Sequence, residues 1–274
     1  MDKNVFMPGT VRSISLAMQR AVQSPVCLMQ SQAQIVDDAA PVRFVGHWDD
    51  FGTATLTNNG QSAVLQLNNR PYQPLVVGGP LGSIYVFEQL HFHWGPDDSV
   101  GCEHLIDGRA RSMEAHLVHY NARYGSYAEA LAQADGLMVA AFQFDAQPNQ
   151  PDWMPLQTIV SALRYIQPPG TGTSVPSDCL HWLTGLVLDR SYYTYHGSMT
   201  TAPYRESVTW LVYHAPIFIS SGQANAFRRL LRKRSGSAGS LTLNTSNFRP
   251  VQSPSNSFRL VFVRDTVPPL RSKL

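Results

Sequence analysis

Between Val42 and about Val100 apolar and polar residues alternate with a period of two, and the alternation breaks at Asn58-Asn59-Gly60, Asn68-Asn69-Arg70-Pro71 and Gly78-Gly79-Pro80. Period two sends successive side chains to opposite faces of an extended strand, and the Asn-Gly and Gly-Pro clusters are turn formers, so this stretch reads as a meander of strands. Helical signals are few and short. Ser126-Tyr127-Ala128-Glu129 reads as a capping box and predicts a short helix over 127–134, closed by Asp135-Gly136. Asp152 can cap a second helix, in which Leu156, Ile159, Val160 and Leu163 recur at helical spacing before Pro168-Pro169-Gly170 stops the pattern. A third is expected from about Gly222 to Arg232, its last turn and the residues after it carrying the basic cluster Arg228, Arg229, Arg232, Lys233 and Arg234 as a solvated helix end. The fold class is therefore mainly β with a few short helices. Proline and glycine are scattered rather than gathered into a linker, Ser235 to Ser240 alone reading as a flexible loop, so a single domain is expected.

Charge excludes one class of partner. Lys plus Arg is 21 against 19 for Asp plus Glu, too balanced for a chain whose business is gripping nucleic acid. No apolar run approaches the ~18 to 20 residues of a membrane span, and the start lacks the apolar core of a secretory signal. Cys27, Cys102 and Cys179 are an odd number without C-x-x-C spacing, which points to free thiols in a reducing compartment. The expected location is intracellular: cytoplasmic, with a mitochondrial alternative because residues 1–22 carry Lys3, Arg12 and Arg20 against Asp2.

Five of the nine histidines lie between Ile84 and Asn121. On a regular strand Tyr85, Phe87, Gln89, His91 and His93 share one face. A second apolar run, Met113 to Tyr120, places Glu114, His116 and Val118 on one face and Ala115, Leu117 and His119 on the other. If the two strands pair, His91, His93 and His116 form a triangle. Three neutral imidazoles without a thiolate are the donor set of a catalytic zinc that keeps its fourth position open for water. Gln89 and Glu114 each stand two residues from a ligand candidate on the same face, placed to take or orient the second ring N–H. His104 and His119 read as core histidines bonded to backbone. Zinc lowers the pKa of its water to about 7. The hydroxide so formed needs its remaining proton turned away from the electrophile, by a hydroxyl that is itself tied to a carboxylate. The turn 197–203 offers hydroxyls and Glu103 can be the carboxylate, although spacing alone does not join the two.

These residues belong to a recognisable set. His91-Phe92-His93-Trp94-Gly95, Gly101-Cys102-Glu103-His104 and Glu114-Ala115-His116-Leu117-Val118-His119-Tyr120-Asn121 resemble the α-class carbonic anhydrases. So do Asp135-Gly136-Leu137, Tyr193 through Thr201, Val208-Thr209-Trp210, Asn247-Phe248-Arg249-Pro250 and the early Gln23-Ser24-Pro25. The resemblance implies a domain over residues 23–262 built around a large, twisted, mostly antiparallel sheet; the N-terminal arm (1–22) and the C-terminal tail (263–274) outside it are candidate sites for protein partners. It implies Zn2+ on His91, His93 and His116, with Thr200 orienting the zinc-bound hydroxide and Glu103 accepting from Thr200. Thr201 would position bicarbonate, and Val118, Val139, Met199, Val208 and Trp210 would wall an apolar pocket for carbon dioxide. The implied activity is reversible hydration of carbon dioxide; the alternative is a catalytically idle module of the same fold. Three departures stand out. Gln61 follows Asn58-Asn59-Gly60 where fast members carry a proton-shuttling histidine, which predicts slow or buffer-dependent proton export unless His47, His181 or His196 substitutes. The N-terminal aromatic segment before Gln23 is absent, and Ala202 interrupts a Thr-Thr-Pro-Pro stretch.

Overall fold

The computed structural model of the chain describes residues 21–37, 39–186, 191–234, 236, 239–254 and 258–264. Residues 1–20 of the expected arm (1–22), residues 265–274 of the expected tail (263–274) and part of the 235–240 loop lie outside the described residues. Among the described residues thirteen strands form one sheet, whose main path runs Gly172–Val175, Thr53–Asn58, Ala63–Asn68, Tyr85–Trp94, Met113–Asn121, Leu137–Gln147, Val208–Tyr213, Tyr192–Gly197, Val261–Arg264 and Gln34–Asp37. Most neighbours are antiparallel. Among the described strands of this sheet, parallel pairing joins Leu137–Gln147 to Val208–Tyr213 and Ile217–Ser220, and Val261–Arg264 to Gln34–Asp37. The sheet is thus mixed, with the meander at 42–94 as expected. Its Asn-Asn-Gly turn is held by Asn59 Oδ1, which accepts from the Gln61 and Ser62 amides at 2.8 and 2.7 Å, while Gly60 takes φ +87°, the left-handed region where a Cβ is costly.

The strand Tyr85–Trp94 departs from a regular two-sided pattern. Phe87 pairs with His119 and Gln89 with Val118, so Glu88 is an extra residue, a β-bulge. The five residues expected on one face are therefore split. Tyr85 and Phe87 join Leu90, Phe92 and Trp94 in the larger apolar core, and only Gln89, His91 and His93 turn to the opposite side. A second core on that side gathers Val118, Val139, Val208, Trp210 and Tyr195, with Met199 packed against it.

The helices are shorter than the sequence suggests. Ser126 caps as expected by accepting from the Glu129 amide, but the helix is Tyr127–Ala130. The second is Gln157–Ala162, flanked by tight turns, and Asp152 caps nothing there; it accepts from the Ser220 hydroxyl. The third, Ser221–Arg228, opens with a Ser220–Gln223 capping box and stops early because Leu231–Lys233 leaves as a strand beside Leu241–Leu243. The basic cluster is accordingly not one solvated helix end. Arg228 is buried and binds the 95–98 loop, donating to Gly95 O and Asp97 O and to Asp98 Oδ1 at 2.7 Å. All three thiols are free, and burial pushes Cys102 and Cys179 up to about 12. No helix among the described residues is long and apolar enough to cross a membrane.

His119 is buried and bonded to backbone as expected, and a second ring is its further partner. His47 Nε2 meets His119 Nε2 at 2.9 Å between Phe44 and Phe87, and His119 Nδ1 faces Leu117 O at 3.1 Å. Burial holds His119 down to about 3 and His47 well below its usual value, the latter further opposed by His119 and Arg70. Both are therefore neutral in the folded state, whereas the unfolded chain protonates them below about pH 6.5. Stability is full above that value and is lost as the pH falls, for His119 down to about 3, by up to about 1.4 kcal/mol per unit for each imidazole. Urea denaturation at pH 7 and pH 5 should show a smaller pH difference in a His47→Leu/His119→Leu double variant than in the parent, by about 2 kcal/mol per ring. Parallel pH curves would remove this pair from the acid response.

Candidate metal centre

Sheet register brings the three imidazoles together. His91 lies directly across from His116 on the neighbouring strand, and His93 across from Glu114. The ring centroids of His91, His93 and His116 stand 5.0, 5.2 and 4.6 Å apart pairwise, with one nitrogen of each within 4.8 Å of the others. His93 Nδ1 donates to Asn247 O at 3.2 Å and is also 3.2 Å from Glu103 Oε1. Its Nε2 is buried and has no partner at all. His116 Nε2 donates to Glu114 Oε1 at 2.7 Å, which leaves its Nδ1 for the triangle. A buried, unpartnered imidazole nitrogen aimed at two others is what a zinc donor set requires. Burial lowers the pKa of each ring, His93 to about 4, so all three are neutral and ready to ligate near pH 7.

A second metal-like group, His104, Glu114 and His116, is a hydrogen-bonded string instead. Glu114 Oε1 accepts from His116 Nε2 and from His104 Nδ1, each at 2.7 Å, and the far nitrogen of His104 meets the Tyr195 hydroxyl at 2.7 Å. Tyr195 then reaches Ser24 Oγ at 2.8 Å. Burial alone would raise the Glu114 carboxyl, but His104 and His116 hold it well below its usual range. A carboxylate so charged fixes the tautomer of His116 and raises its basicity. His104 thus corrects the sequence reading: its ring nitrogens meet Glu114 and Tyr195, which makes it a side-chain partner of the centre rather than a core ring bonded to backbone.

Glu103 sits beneath the triangle. Burial pushes its carboxyl up to about 7, opposed by His116, by the nearby Thr200 hydroxyl and by the Arg249 amide. Oε1 accepts from Arg249 N at 2.8 Å, while Oε2 is buried without a hydrogen-bond partner. The 197–205 segment starts from Gly197, where a Cβ would lie 2.3 Å from Ser24 Oγ and 2.9 Å from Trp210, so a side chain there would drive the Thr200 turn outward.

A cavity of about 160 Å³ opens onto His91 and His93, walled by Asn59, Gln61, Val64, Tyr127, Met199 and Thr201 among others. Gln89 also lines it; at the bulge its carboxamide makes no hydrogen bond to either ring, so it is not seen orienting a ligand. Val118, Val139 and Trp210 are in register across three strands, Val208 lies two residues before Trp210 opposite Leu137, and all four are fully buried, with Trp210 edge-on to His116 at 4.9 Å. His47, His181 and His196 do not line the cavity. Sequence reasoning missed His104, Tyr195, Ser24 and the carbonyl of Asn247. The only local signal was that His104 follows Glu103.

The eukaryotic-type carbonic anhydrase family model matches residues 12–264. Human carbonic anhydrase 7 is 36% identical over 231 residues, covering 84% of each chain. Rat carbonic anhydrase 5A, mitochondrial, is 34% identical over 231 residues (84% of this chain, 73% of that one), and bovine carbonic anhydrase 3 is 33% identical over 208 residues (76% and 77%). Triad, carboxylate and family match agree: the chain belongs to the eukaryotic-type carbonic anhydrase family.

Proposed function

We propose that this carbonic anhydrase hydrates carbon dioxide to bicarbonate and a proton, with Zn2+ held by His91, His93 and His116. The observation that carries the reading is the buried His93 Nε2 without a partner, facing His91 and His116. When bound, zinc supplies a Lewis acid that brings the pKa of water to about 7. The protein's own groups do the rest. Glu103 accepts the Thr200 hydrogen, so that Thr200 Oγ1 can only accept from the attacking oxygen and turns one of its lone pairs toward the substrate. Thr201, on the cavity wall, holds the polar product, and the apolar cluster of Val118, Val139, Val208 and Trp210 with Met199 receives the nonpolar substrate. Stopped-flow hydration on metal-quantified protein tests the reading; a zinc-loaded chain without activity would overturn it.

Each turnover leaves one proton to export. Gln61 occupies the cavity rim, its main chain pinned by Asn244 and Asn247 at 2.8 and 2.9 Å, and an amide carries no proton near neutrality. A donor of pKa about 7 releases protons to water no faster than ~10³ s⁻¹, the product of ~10⁻⁷ M and ~10¹⁰ M⁻¹s⁻¹. The maximal rate should therefore climb with the concentration of an imidazole-type buffer. Gln61→His should raise it in dilute buffer while kcat/KM stays nearly constant. Buffer-independent turnover well above ~10³ s⁻¹ would show a relay through other groups.

A further inference from the structure

The loop that carries Thr200 is secured from outside the cavity. Met199 N donates to Arg205 O at 2.8 Å and Tyr204 N to Thr201 O at 2.9 Å, closing residues 199–205 on themselves. Tyr204 holds φ +57°, a left-handed conformation that bulky side chains seldom take. Its ring packs on Arg249, whose guanidinium carbon lies 3.8 Å from the ring centroid, well within cation–π range. The other side of the same guanidinium donates through Nη1 to Ser24 O and to Gln23 Oε1. Gln23 closes the circuit by donating to Tyr204 O at 3.3 Å and to Glu206 Oε1 at 2.9 Å.

Arg249 also faces inward. Its backbone N–H is the donor that holds Glu103 Oε1 at 2.8 Å. A carboxylate turns as one rigid plane, so fixing Oε1 fixes Oε2, the oxygen that has no partner and lies 3.9 Å from His116 Nδ1. The Thr200 hydroxyl acts on this same carboxyl. Strained backbone persists only where its surroundings over-determine it, and here the strain delivers a ring to the one arginine whose main chain sets Glu103.

We infer that Tyr204 is a positioning residue of this enzyme: by clamping Arg249 it sets the rotation of Glu103, and through Glu103 the direction of the Thr200 hydroxyl. Its effect on rate rests on the carbon dioxide reading above; the clamp itself does not. Neither oxygen nor nitrogen of Tyr204 touches the centre, so the ring is the agent and the phenol hydroxyl is dispensable.

The test compares the parent with Tyr204→Asn, which tolerates the left-handed backbone but lacks the ring, and Tyr204→Phe, which keeps it. All three should hold one zinc per chain. Tyr204→Asn should lose about 10-fold in kcat/KM, and Tyr204→Phe should stay within about twofold of the parent. In metal-free protein, hydrogen exchange at the Met199 amide should quicken about 3-fold or more in Tyr204→Asn and remain at the parent rate in Tyr204→Phe. Parent-like kcat/KM and exchange in Tyr204→Asn, or a Tyr204→Phe as impaired as Tyr204→Asn, would overturn the inference. A zinc-loaded parent without hydration activity would sink the functional reading alone, and the exchange measurements would still decide the clamp.

Discussion

Alanine at His116 should leave a folded protein that holds less than about a tenth of a zinc per chain and hydrates carbon dioxide at least about 10³-fold more slowly. Two imidazoles cannot retain a catalytic zinc against a weak chelator, and the missing ring also deprives Glu114 of one of its two imidazole partners. The folded state survives because Glu114 keeps His104 and the amides of Glu103 and His104. Metal analysis after dialysis, alongside circular dichroism, reads both halves of the claim. His116 belongs to both metal-like groups, so a companion His91→Ala variant, which touches only the triangle, is expected to lose the metal as well. Full zinc in either variant would move the site elsewhere.

Thr200→Ala should behave in the opposite way, keeping its zinc and losing rate. No ligand contact is removed, since Thr200 bears on Glu103 rather than on an imidazole. What disappears is the acceptor that orients the attacking oxygen, and the loss of such an outer partner costs about 10–100-fold in activity. Thr200→Ser, which restores the hydroxyl, should recover most of it. Hydration rates compared at equal metal content decide the matter, and an unchanged rate in Thr200→Ala would refute its role.

The meander and the triangle were legible in the sequence because period-two alternation maps directly onto sheet faces, and because His116 needs only a paired neighbour to meet His91. Three features were not. The bulge at Glu88 has no compositional mark of its own, so strict alternation placed Tyr85 and Phe87 on the wrong side. Helix ends were set by distant partners: Leu231 leaves the helix to donate its amide to Gln167 O, a contact no local pattern announces. The string from His116 through Glu114, His104 and Tyr195 to Ser24 joins segments up to 171 residues apart, and only the folded register reveals it. Arg228 shows the same limit in charge: read as a solvated cation, it is a buried clamp with three partners on the 95–98 loop.

The extra residue at Glu88 gives the metal centre something akin to a reading frame. On either side of it the strand alternates faithfully, but the two halves are out of phase, and the phase behind the bulge is what sends His91 and His93 outward and Leu90, Phe92 and Trp94 inward. Exchanging one side chain for another in this stretch alters the strength of a contact. Straightening the strand with Glu88 kept in the ladder does something different in kind: with Phe87 held in the core, both imidazoles would turn into the aromatic interior and leucine and phenylalanine would face the cavity, whereas deleting Glu88 would only remove the bulge and leave both imidazoles where they are. The pairing register at this point, with one residue left out of the ladder, decides on which side of the sheet the chemistry is found.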